Sequence, residues 1–122
     1  MTESLYERIG GKSAVQATVA KLYEKILDDD LLAPFFDDVD VDTLRRSQSA
    51  FVTMAFGGPT QYTGKSLRDA HAPLVERGLT DQHFDAVATH LKNAMEELEV
   101  PIELINEALE VVGGTRDDVL NR

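Results

Sequence analysis

The chain contains no cysteine. Disulfides, thiolate metal centres and thiol nucleophiles are therefore excluded, and His71, His83 and His90 are the only imidazoles open to a transition metal. Positive charge is scarce too: 12 Lys and Arg stand against 22 Asp and Glu, a formal net charge of −10. That balance disfavours a nucleic-acid backbone or an anionic membrane surface as partner. No apolar run approaches the roughly 20 residues that span a bilayer, and the N-terminus lacks the basic-then-apolar order of a signal peptide. A cytosolic, monomeric protein is the expectation. No Pro/Gly/Ser-rich linker, low-complexity segment or solenoid repeat divides the 122 residues, of which 43% are hydrophobic. One compact domain over 1–122 fits that length.

Strand signals are missing as well. Two-residue alternation is not sustained, and apolar residues recur three and four apart through most of the chain, which reads as all-α. A short helix over 4–9 should stop at Gly10-Gly11, and a second should run from Lys12 to Leu27. Residues 31–36, with Pro34 and the paired Phe35-Phe36, form a hydrophobic corner of a turn or two. Asp40 or Asp42 caps a third helix that ends at Gly57-Gly58-Pro59, ahead of an irregular loop. A short helix over 65–72 follows, because Pro73 disfavours helical geometry at the residue before it. After Gly78, Thr80 caps a long helix to Leu98 with Phe84, Val87, Leu91 and Met95 on its apolar face. Pro101 opens the last helix, which weakens at Gly113-Gly114.

Three of these elements carry a polar residue on the face that should be buried. Tyr23 lies in the stripe Val15-Val19-Leu22-Tyr23-Ile26, Gln48 in Leu44-Gln48-Phe51-Val52-Ala55, and His71 between Leu67 and Leu74. A buried polar group without a partner typically loses about 1–3 kcal/mol. Taken singly, each has an ordinary explanation: a satisfied core histidine, a tyrosine whose hydroxyl reaches the surface, an amide bonded between helices. His83 and His90 sit at the flank of their stripe, as surface or boundary residues. The carboxylates lie mostly at caps and outer faces, and no phosphate loop, dinucleotide glycine pattern, HExxH or EF-hand spacing occurs. One imidazole on a short helix, a phenol and an amide on two others, and an aromatic corner are together what a haem pocket requires.

The chain resembles the truncated haemoglobins, group I, over nearly its whole length. The resemblance rests on Leu5-Tyr6-Glu7-Arg8-Ile9-Gly10-Gly11, Leu22-Tyr23-Glu24-Lys25-Ile26-Leu27, Ala33-Pro34-Phe35-Phe36, Gln48, Phe51 and Phe56-Gly57-Gly58-Pro59. It continues through Tyr62-Thr63-Gly64, Leu67-Arg68-Asp69-Ala70-His71, His83-Phe84-Asp85-Ala86-Val87 and Arg116-Asp117-Asp118-Val119-Leu120. It implies a two-over-two helical sandwich around protohaem, haem b, with His71 as the proximal iron ligand and Phe36 packed on the macrocycle. Tyr23 and Gln48 would hydrogen-bond a gas on the distal side, where Leu44 shields it. Tyr62 and Leu67 would contact haem, Lys65 and Arg68 would meet its propionates, and Arg45 and Arg46 are weaker candidates for that role. Some relatives carry a histidine or lysine at the position of Ser47 as a sixth iron ligand, and some attach haem through a histidine near the C-terminus. Here the residues are Ser47 and Gly113-Gly114-Thr115-Arg116, so the sixth site should be open or water-bound and the haem extractable. The family's apolar gas tunnel would pass near Leu22, Val52 and Ala55.

The function implied is reversible binding of dioxygen at ferrous iron, with carbon monoxide and nitric oxide as further ligands. Conversion of nitric oxide to nitrate would add an enzymatic role and require a reductase. The same pocket would serve oxygen carriage, storage or sensing without turnover. A third class dispenses with haem: an acidic helical interaction module in which Tyr23, Gln48 and His71 bond to one another.

Overall fold

A computed structural model describes residues 3–37, 39–58 and 67–121. Seven α-helices and one 3-10 turn, with no strand, occur among the described residues. Helix α1 (Leu5–Ile9) is capped by Ser4, whose hydroxyl accepts from the Glu7 N–H at 3.2 Å. Gly10, at φ 123°, turns the chain at once into α2 (Gly11–Leu27). The 3-10 turn (Ala33–Phe36) carries the paired phenylalanines. Asp40 caps α3 (Val41–Ala55), its carboxylate accepting from Asp42 N at 3.1 Å and Thr43 N at 3.4 Å. Then come α4 (Leu67–Glu76), α5 (Asp81–Glu97), α6 (Ile102–Gly113) and α7 (Arg116–Val119).

One boundary differs from the sequence expectation. The helix bearing His71 does not stop at Ala72 but continues through Pro73 to Glu76. Proline inside a helix costs about 3 kcal/mol, because it lacks an N–H and crowds the preceding turn. Here the helix continues nonetheless, with Ala70, His71 and Leu74 on one face of α4 lining the interior cavity. The helix then closes with Arg77 N and Leu79 N both donating to the Leu74 carbonyl at 3.0 Å. The short α7 lies beyond the last helix expected from sequence.

The helices stack as two pairs. Helix α2 packs on α3 and on α5, α5 packs on α6, α1 bridges α2 and α6, and α4 rests against α7. One core cluster joins Leu5, Phe56, Leu91, Met95, Ile105 and Ala108. The other joins Val15, Val19, Tyr23, Ile26 and Leu32. Helices α2, α5 and α6 each contribute fully buried residues, whereas α3 contributes none despite its apolar stripe. Its stripe borders a hollow as well as α2.

Candidate functional site

That hollow is a cavity of about 270 Å³, close to the lower end of small-molecule sites at roughly 300–1,000 Å³. It is roofed by α2 and α3 and floored by α4, α5 and the α6–α7 corner. Its walls are overwhelmingly apolar, with Val19, Leu22, Ile26, Leu32, Phe51 and Val52 from the α2–α3 side and Leu74, Leu79, Val87, Leu91 and Val112 opposite. Tyr23, Gln48, His71, His83, Thr18 and Thr115 interrupt this lining, and no carboxylate, Lys or Arg does so among the described residues.

Tyr23 is 6% exposed and meets Phe36 edge-on, with ring centroids 5.9 Å apart. Burial holds its phenol far above the ordinary tyrosine pKa, because the phenolate would lose its solvation. The hydroxyl therefore keeps its proton as a donor. No hydrogen bond ties the Tyr23 hydroxyl or the Gln48 amide to another described residue. This argues against the interaction module, whose premise is that Tyr23, Gln48 and His71 satisfy one another. Leu44 lies one helical turn before Gln48 and shares the cavity wall.

His71 reaches the cavity from α4, which is braced at both ends. Arg68 at its start pairs with Asp118 of α7 at 3.2 Å, and the Arg68 carbonyl accepts from Asn121 Nδ2 at 3.2 Å. Arg77 just past its end donates to the Pro34 carbonyl at 2.9 Å and lies over the Phe35 ring, 5.4 Å from its centroid. The second brace locks the helix of His71 to the turn that carries Phe36.

Tyr62 and Lys65 lie outside the described residues, and for Leu67 only its place at the start of α4 is described. Arg45 and Arg46 line a separate cleft between α2 and α3, not the cavity. His83 is half-buried, as expected of a boundary residue, and also meets the cavity. Its ring lines the cavity, packs on Phe35 at 5.1 Å, and accepts from Thr80 N–H at 3.0 Å through Nδ1. The sequence signal for it was Thr80 three residues earlier, the spacing of a helix cap. His90 turns outward instead, donating to Asp29 at 2.7 Å.

Among the described residues, no three His, Asp or Glu side chains gather to hold a bare metal ion. His71 offers an imidazole within an apolar slot, a donor set suited to an iron already held by a macrocycle. Tyr23 and Gln48, without a hydrogen-bond partner among the described residues, fit a small polar ligand beside it. The residues present therefore fit haem.

Residues 4–121 match the bacterial-like globin family. The chain is 47% identical to the group 1 truncated hemoglobin GlbN of Synechocystis sp., covering 98% of each. It is 38% identical to the group 1 truncated hemoglobin of Tetrahymena pyriformis, covering 98% of this chain and 97% of the relative. Its structure is similar to that of the 2/2 hemoglobin from Synechococcus sp. PCC 7002, solved in the cyanomet state with covalently attached heme. The TM-score is 0.94 at 46% identity, over 98% of this chain and 100% of that one.

Proposed function

The chain belongs to the bacterial-like globins, as a group 1 truncated haemoglobin, and from that premise we propose that it binds haem through His71 and retains dioxygen with Tyr23 and Gln48, in the service of converting nitric oxide to nitrate. Haem iron is the family's cofactor, and when bound it supplies the coordination position for a diatomic gas and the redox couple for oxidising nitric oxide. The observation that carries this reading is the convergence on one apolar cavity of an imidazole from α4 and two donors from α2 and α3 that have no hydrogen-bond partner among the described residues.

In this reading His71 gives a ring nitrogen to iron, and Phe36 and Leu44 exclude water from the gas. Tyr23 holds its proton at the phenol oxygen and donates it in a hydrogen bond, and Gln48 donates from its amide nitrogen. Such donors favour dioxygen, which gains negative charge on binding, over the less polar carbon monoxide. Leu67 and, if carried towards the cavity mouth, Lys65, Arg68 and Tyr62 complete the haem contacts. Joining one nitric oxide to one dioxygen as nitrate takes up one electron, so turnover requires a reductase. A cytosolic setting supplies such a donor.

The test is nitric oxide consumption by haem-loaded, oxygenated protein with a reductant. Sustained consumption yielding one nitrate per nitric oxide supports the enzymatic reading. Oxygen binding without sustained consumption would leave carriage, storage or sensing, and slow oxygen release would then count against carriage. A purified protein that stays colourless after haem is added would return the interaction module.

A further inference from the structure

A second concavity, of about 500 Å³, opens between the first half of α2 and the middle of α3, on the opposite side of α3 from Gln48. Lys12, Arg45 and Arg46 wall it, with Tyr6, Gln16 and Ser49 between them, and no carboxylate is among its described walls. This is unusual in a chain with ten excess negative charges. The other described cations are largely committed. Arg8 pairs with Glu107, Lys21 and Lys25 with Glu97, Arg68 with Asp118 and Arg116 with Asp81 and Asp85, while Arg77 holds the Pro34 carbonyl. Beside the cleft, Asp42 lies 4.0 Å from Arg45, and the Arg46 charge acts on Asp40.

Arg45 is the most enclosed of the three cations. Its Nε is shut off from solvent and has no hydrogen-bond partner among the described residues, although 40% of the side chain is exposed. With its Nε enclosed, Arg45 can meet a ligand in the cleft only through its Nη1–Nη2 edge. That edge matches two oxygens of a phosphoryl group, the geometry for which a guanidinium is suited.

We propose that this cleft binds a small, multiply charged anion bearing a phosphoryl group, with Arg45 as its bidentate anchor and Lys12 and Arg46 as flanking charges. The site is separate from the gas cavity and stands whether or not the chain turns nitric oxide over. Lys12 and Arg46 are exposed and Arg45 half-exposed, so the anion is in exchange with solvent and its affinity falls with added salt.

Calorimetric titration of the haem-loaded chain with pyrophosphate, at constant ionic strength, tests it. The expected result is saturable one-to-one binding that weakens at least tenfold in Arg45→Gln and in Lys12→Gln. It should stay within twofold in Lys92→Gln, which removes the same charge from the exposed face of α5. In unmutated protein, pyrophosphate should also shift the Arg45 Nε–H resonance. ADP binding tenfold tighter than pyrophosphate would identify a nucleotide, and equal binding the phosphoryl group alone. Absence of saturable heat, or binding that the cleft variants leave unchanged, overturns the proposal.

Discussion

Replacing Tyr23 with phenylalanine removes one oxygen atom from the cavity wall and little else. The ring is 6% exposed and its packing against Phe36 does not involve the hydroxyl, so Tyr23→Phe should keep both the fold and haem uptake. The hydroxyl has no described partner to abandon. What is lost is a donor to the gas: a hydrogen bond contributes about 0.5–1.5 kcal/mol, and the charge on bound dioxygen favours the upper end. At about 1.4 kcal/mol per factor of ten, dioxygen should leave about tenfold faster, while carbon monoxide release changes by less than about twofold. Stopped-flow displacement of each gas from the ferrous protein measures both rates. Because burial raises the Tyr23 pKa above its ordinary value of about 10, the wild-type oxygen release rate should stay flat from neutral pH to that value. Equal acceleration for the two gases, or no change in oxygen release, would refute Tyr23 as the donor.

Two further substitutions probe the frame around the site. A Cβ at Gly58 would sit 2.5 Å from Tyr6 Cγ and 2.7 Å from both Cδ atoms, so Gly58→Ala must displace a ring packed against the core. Overpacking of this kind costs about 1–3 kcal/mol, read as a lower midpoint in urea unfolding; an unchanged midpoint would show that Tyr6 yields freely. Asp29, held below the usual carboxylate range first by its hydrogen bond from His90 and then by the Leu31 N–H, ties the end of α2 to α5. A depressed carboxylate stabilises the fold above its unfolded pKa, and that contribution is lost as pH falls through the folded value. Asp29→Asn should therefore lower Tm at pH 7 and lower it less at pH 3, whereas an equal loss at both would assign the effect to something other than the charge.

What could be read from residue order was whatever local chemistry determines. Thr80 announced the start of α5, Asp40 or Asp42 that of α3, and Gly10-Gly11 and Gly57-Gly58 the breaks beside α1 and α3, because caps and turns are decided within a few residues. The inward faces of α2 and α3 were legible from three- and four-residue spacing, and with them Tyr23 and Gln48. Pro73 misled, since α4 runs through it to Glu76 against the local rule about proline. Pairings across the fold left no local trace: Asp29 finds His90 61 residues away, and Arg68 finds Asp118 50 residues away. Arg68 thus already has a carboxylate neighbour, which sequence position alone could not reveal. The boundary position of His83 was legible from its angle on α5, but its contact with the Phe35 ring was not.

The most direct test of the account is the visible absorption spectrum of haem-reconstituted protein, ferric and dithionite-reduced, for wild type beside His71→Gly. Wild type should show histidine-ligated haem with an open ferrous sixth position, and the variant should lose that signature and regain it when imidazole is added. Identical spectra from the two proteins, or no haem uptake by either, would contradict the assignment of His71 and the reading built on it.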